Sequence, residues 1–386
     1  MKWFAAGGLA LVLFASVVVA DDPKVTLVPE KESVKVLIGD DVFTVLKYGK
    51  ERRKPFFLPV TGPGGWELLK AAVAEGQPGS LSRKVVIASE TAPLTGTQSN
   101  DEKMLRYGDI AEITEIKGNK LKVGDGDGWI QRSDVAPLAA TVIRPLNEDP
   151  AIKKDLISDD KYDHPHHKGI WFSVDEINRS RHWMERDLVQ NQQVELEGSG
   201  TDSARLKLVN NWLDEKGQLV LIEKSTVTFH PNRLIEYDAE LIAAVDDLHI
   251  GDTKEGMFAI RVPASMKEKG GGGIVTNSDG LKTTKECWGK TADWVNYDGP
   301  IEGHMFGVTI MDAPQNPWRS RYHVRDYGLF SVNPFGAGAY TGGSEDKQPP
   351  HDRTLKKGES LRFKYGAWIH GPNVTPEQIN EIYKKL

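Results

Sequence analysis

Between Asp163 and Phe172 the chain reads DHPHHKGIWF, which places three histidines, a carboxylate and a tryptophan within ten residues. A neutral imidazole can ligate a metal, shuttle a proton or bond to a hydroxyl. On an extended strand, residues two apart share a face, which pairs His164 with His166 and turns His167 away. Pro165 stiffens the backbone and Gly169 permits close approach, features that suit the rim of a ligand site. His166 and His167 are therefore candidate proton carriers. His164 is a candidate ligand contact, and Trp171 or Trp183 a surface on which a sugar ring stacks. The plain alternative is a strand end whose imidazoles bond to backbone carbonyls. No cofactor is expected. If a divalent metal binds, His164 and His166 are the ligands, although no HExxH or Cys pair completes a zinc set.

Two later segments carry compatible chemistry. In KEGMFAIRVP, strand alternation places Glu255, Met257, Ala259 and Arg261 on one face, so a carboxylic acid or base would share a cleft with a guanidinium. In WRSRYHVRDYG, Arg321, His323, Arg325 and Tyr327 alternate in the same way. His323 joins Glu255 as a candidate catalytic group, and Arg261, Arg325 and Tyr327 as candidate ligand holders. Trp294, with Asn296 and Tyr297, offers an aromatic platform, while Asp175 and His182 are supporting groups. Gly270 to Gly273 lacks the Lys-Ser/Thr pair of a phosphate loop and reads as a flexible hairpin turn. No Gly-x-Ser-x-Gly elbow supports serine hydrolase chemistry.

These groups need a scaffold, and its pattern is that of strands. Short alternating runs occupy Val25 to Val28, Val34 to Ile38, Phe43 to Lys47, Leu206 to Trp212, Leu219 to Phe229, Leu234 to Ala243, Phe306 to Met311 and Leu361 to Trp368. Helical spacing is clear only after Pro376, with Thr375 as N-cap. The expected fold is mainly β, a large antiparallel β-sandwich. Residues 1–20 have the apolar run and small-residue exit of a secretory signal peptide, which predicts a secreted or periplasmic protein without a later membrane span. A net charge of -6 without basic clusters argues against nucleic acid. The lone Cys287 excludes an internal disulfide and reads as a buried small hydrophobe.

Residues 80–138 differ from their surroundings: five short strands with Gly and Asp turns end in Gly128-Trp129-Ile130 and a closing DVAPL. This segment resembles a bacterial Src-homology-3-like barrel, inserted between residues 21–75 and 139–386 of the sandwich. With it set aside, KPFFLPVTGPGG, TVIRPL, DHPHHKGIWF, TKEGMFAIRVP, WGKTADWVNYDG and WRSRYHVRDYGLFSVNPFG follow in an order that resembles a secreted bacterial family labelled methane oxygenase PmoA. No copper-site composition supports that label. The strand content and polar positions are similar to mutarotase-like supersandwich proteins, and the resemblance implies a carbohydrate or cell-wall ligand handled by His/Glu acid-base chemistry. Epimerase, lyase and hydrolase reactions are open, as are a non-catalytic glycan-binding role and a His-ligated metal oxidoreductase.

Overall fold

Alternation of buried and more exposed residues over most of ten or eleven positions builds the longest strands, Ala204–Leu213, Leu219–Phe229, Leu234–Ala243 and Ser360–His370. The computed structural model describes residues 23–50, 52–63, 83–87, 89, 91–96, 104–106, 109–124, 128–137, 164, 166–301, 304–343 and 353–386. The expected leader, Thr141 to Leu146 and Asp163 lie outside them.

Two eight-stranded antiparallel sheets dominate. The first runs, in spatial order, Val25–Glu30, Ser33–Ile38, Asp41–Lys47, Phe56–Val60, Ile170–Phe172, Phe258–Arg261, Leu329–Asn333 and Arg321–Val324. The second contains the four long strands, Val189–Glu197 at one edge, and His304–Asp312, Trp294–Ile301 and Ile274–Asn277 toward the other. Their inner faces meet through aromatic pairs: Phe172 stacks on Tyr237 at 5.0 Å and Phe258 on Tyr365 at 6.0 Å, while Phe330 packs on Tyr297. The shared core follows from this interdigitation. The fold is thus mainly β and antiparallel, as the alternation predicts. Among the described residues no helix is long and apolar enough to cross a membrane.

The strands Arg83–Ile87, Ile110–Lys117, Lys120–Val123, Trp129–Gln131 and Val135–Pro137 form a separate five-stranded antiparallel sheet with its own core of Val85, Ile87, Ile113, Leu121, Ile130 and Val135. Lys35 and Asp41 of the first sheet reach Asp134 and Arg132 of this unit at 3.7 and 3.3 Å. Near the C-terminus, Thr375 and Gln378 make a reciprocal capping box for the helix Pro376–Tyr383.

The glycine run departs from the flexible hairpin that its composition suggests. A Cβ on Gly273 would fall 2.1 Å from the Met266 carbonyl oxygen and one on Gly271 2.8 Å from that of Ala264, so Gly271 and Gly273 permit close packing on the turn Ala264–Met266.

Candidate functional site

The outer face of the first sheet is polar where its inner face is apolar, and register shows which residues share it. Trp171 lies opposite Ala259, Ala259 opposite Ser331, and Ser331 opposite His323. Directly paired residues point to one side, so these four form a single row across four neighbouring strands. Three strand spacings separate its ends, roughly 14 Å. The two large groups stand at the ends, with small side chains between them.

This row carries an unusual set of polar atoms. Trp171 Nε1, Ser331 Oγ and His323 Nε2 are all buried and have no hydrogen-bond partner among the described residues. A buried polar atom without a partner costs about 1–3 kcal/mol, so three on one row mark a place for a polar ligand. The Nε1 of Trp288, whose ring packs edge-on against His323 and Tyr340, is also unpartnered.

At the Trp171 end, the histidine block is a turn rather than the extended strand that its spacing suggests. His167 donates its backbone N–H to the His164 carbonyl at 3.0 Å, which brings residues three apart together. The result is a column of four rings. Tyr327 stacks on His164 at 5.2 Å, His164 on His167 at 4.6 Å, and His167 on Trp171 at 5.3 Å. His166 meets His167 edge-on at 4.5 Å. His167 thus occupies a face of Trp171 that sequence reasoning offered to a sugar, and Trp171 presents its indole N–H instead. Trp183 packs on the same indole at 5.1 Å and is equally buried.

Cations surround this column. Arg261 Nη1 donates to His167 Nδ1 at 2.9 Å. Lys54 lies 5.2 Å from the Trp171 ring and donates to the carbonyls of His166 and Trp183. Glu185 balances both Lys54 and Lys168, at 3.4 and 3.1 Å. Burial, reinforced by Lys54, lowers His166 to about 3, and burial with the neighbouring histidine and Arg261 lowers His167 well below the usual imidazole range. Burial also brings Lys54 down to about 8 against the opposing pull of Glu185. Both imidazoles are neutral at pH 7.

At the other end, His323 Nδ1 lies 3.1 Å from the Lys254 carbonyl, which must accept, so Nε2 carries the lone pair. Tyr340 donates to the same carbonyl. Burial, followed by the charge of Arg325, lowers His323 to about 3. Glu255 follows directly in the chain and is half-buried, close enough to Asp175 and Tyr340 to raise both electrostatically. Asp175 is fully buried and ion-paired with Arg181 at 2.6 Å, and burial raises it to about 6.

The structure therefore gathers His164, His166, His167, Trp171, Arg261 and Tyr327 at one end, and at the other places His323 against the carbonyl of Lys254, the residue before Glu255. The expected alternation from Glu255 to Arg261 is broken, because Gly256 at φ +149 turns the backbone before the strand starts at Phe258. Arg325 and Tyr327 sit in the hairpin turn beyond Val324.

Trp294 belongs elsewhere. It lies in the second sheet, donates to Asn380 Oδ1 at 2.7 Å and packs under the C-terminal helix with Met311 and Ile379. Its neighbours form no platform either: Tyr297 is in the core, and Asn296 bonds to Thr309 and Asp298. His182 faces Trp212 and bonds to the Leu213 carbonyl. Among the described residues no group of three His, Cys, Asp or Glu side chains is placed to hold a metal ion. Lys54, Trp288, Ser331 and Tyr340 were missed. Ser331 alone left a signal, as a polar residue within the apolar alternation of LFSVN.

Residues 145–384 match the model of a family of unknown function, DUF6807, a range that begins after the separate five-stranded unit. No curated protein matches the sequence. Among solved structures, the chain is similar to heparan sulfate lyase HepC from Pedobacter heparinus, at 10% identity and TM-score 0.29, over 65% of this chain and 31% of that one. It is also similar to galactose 1-epimerase from Lactobacillus acidophilus NCFM, at 10% identity and TM-score 0.30, over 74% of this chain and 100% of that one. A galactose mutarotase related enzyme from Lactobacillus acidophilus matches at 13% identity and TM-score 0.28, over 75% and 99% of the two chains. The chain spans about a third of the length of HepC.

Proposed function

For this chain, which belongs to the family of unknown function DUF6807, we propose that the polar face of the first sheet binds an extracytoplasmic saccharide. The observation that carries this reading is the row of unpartnered Trp171 Nε1, Ser331 Oγ and His323 Nε2 over a floor of small residues. It offers a donor, a group that both donates and accepts, and an acceptor. Adjacent hydroxyls on a sugar ring present the complementary mixture. The leader-like residues 1–20 support a location outside the cytoplasm.

Glu255 is the group we assign to proton transfer, with His323 holding a sugar hydroxyl through Nε2. The fixed tautomer of His323 supports this division of labour, because its donor is committed to Lys254 and its lone pair is turned to the row. Epimerisation, elimination and hydrolysis each need a group that takes or gives a proton, a role that a half-buried carboxyl can fill.

A second reading, binding without turnover, is favoured by the low basicity of the imidazoles. Groups held near 3 are weak general bases at neutral pH. Turnover and affinity separate the two. Purified protein is assayed for anomer interconversion, elimination and hydrolysis on a saccharide panel, and affinity is followed by tryptophan fluorescence. Under the catalytic reading, Glu255→Gln lowers turnover by about 100-fold while affinity stays within a few-fold. Saccharide binding with no turnover of any type in the unsubstituted protein selects the second reading. Absence of binding refutes both.

A further inference from the structure

Beside the row from Trp171 to His323 runs a second. Arg261 lies opposite Leu329. Arg325 donates its backbone N–H to the Leu329 carbonyl at 2.8 Å, which continues the register one pair beyond the strand. Arg325 therefore shares the face of His323 and Arg261. The two guanidinium groups, although based two strands apart, both reach the Tyr327 ring, at 4.9 Å for Arg261 and 5.4 Å for Arg325.

The cations around the site differ in how their charge is met. Lys54 and Lys168 share Glu185, and Arg181 is paired with Asp175. Arg325 is half-buried and makes no ion pair among the described residues; its guanidinium packs on the Tyr327 ring. A planar fork of donors held against an aromatic ring is preorganised for a carboxylate, which it can grip through two parallel hydrogen bonds. Its position beside the unpartnered row would place that carboxylate on a ligand already seated over Ser331. Resting on the saccharide reading above, we infer that Arg325 is a specificity residue for a carboxylate-bearing sugar, and that the site takes a uronic acid in preference to the neutral hexose.

Tryptophan fluorescence titration of the full chain with galacturonic acid against galactose, and glucuronic acid against glucose, tests this. The uronic acid is expected to bind about tenfold or more tightly than its neutral partner, as a charge-assisted bidentate contact implies. Arg325→Gln should abolish that preference, lowering uronic-acid affinity about tenfold more than neutral-sugar affinity. Arg325→Lys should retain part of it, since the charge remains and the fork is lost. Added salt should weaken binding of the uronic acids and leave that of the neutral sugars unaffected. Equal affinity for acid and neutral sugars, or an Arg325→Gln protein with the preference intact, overturns the inference and leaves the saccharide reading standing. Failure of both sugar classes to bind the unsubstituted protein overturns the two together.

Discussion

Replacing His323 by Asn tests whether its imidazole occupies the buried acceptor position. The ring is 2% exposed and commits Nδ1 to the Lys254 carbonyl, and burial with the Arg325 charge lowers it from 6.5 to about 3. In the unfolded chain the same group takes up its proton near its ordinary value. Between those two pH values the unfolded state binds more protons, so this contribution to stability is complete above about pH 6.5 and is lost as pH falls toward 3. Each pH unit inside the window withdraws about 1.4 kcal/mol. From about pH 6 to about pH 4 the loss due to His323 alone is about 2–3 kcal/mol, allowing for incomplete titration at the upper end. Asp175 works in the opposite direction, because its raised folded value makes the folded state hold the proton more tightly. Asp175 and the other buried histidines are common to both proteins and cancel in the comparison. An Asn side chain can still donate to the Lys254 carbonyl but has nothing to titrate. Urea unfolding at the two pH values should therefore show a smaller acid destabilisation in His323→Asn, by about 2–3 kcal/mol. An identical pH dependence in both proteins would refute the buried, neutral imidazole and the acceptor role built on it.

Two further substitutions probe the support of the ring column. Gly169 has φ +59, and a Cβ there would meet the Phe57 carbonyl oxygen at 2.1 Å. Gly169→Ala should cost more than about 2 kcal/mol in urea unfolding and weaken the fluorescence response to saccharide; near-native stability would show that the close approach of these strands is wrong. Lys54→Met removes the donor to the His166 and Trp183 carbonyls and leaves Glu185 with Lys168. A loss of about 2–4 kcal/mol at unchanged denaturant slope is expected, and a neutral result would mean that Lys54 is not the brace of the histidine turn.

Much of the scaffold was legible because alternation is a local signal. The run Leu219–Phe229 and the run Leu234–Ala243 coincide with their strands, and Thr375 caps the final helix through its own neighbours. The histidines, Arg261 and His323 were recognisable by residue type. Their arrangement was not, because a one-residue change in geometry redirects side chains. The His164–His167 turn stacks residues that a strand would turn to opposite faces, and Gly256 uncouples Glu255 from the alternation of Ala259 and Arg261. Ser331 gains its meaning only from cross-strand register with Ala259 and His323, which no single segment encodes. Trp294 shows the converse, since a tryptophan's type does not tell which sheet will bury it.

The pairing of Ile170 and Trp171 with Phe57 and Phe56 also has a temporal side. These strands are hydrogen-bonded neighbours although residues 61–169 intervene, whereas Ala204–Leu213, Leu219–Phe229 and Leu234–Ala243 are joined by tight turns. Closing a long loop costs entropy before any contact repays it, so the consecutive hairpins of the second sheet can nucleate early and the junction that holds the ring column must wait. The Trp171 end of the row is therefore expected to join the local hairpin of Ser331 and His323 late in folding. Recovery of the saccharide response should lag the return of overall β-structure, so ligand binding serves as a clock for the last step.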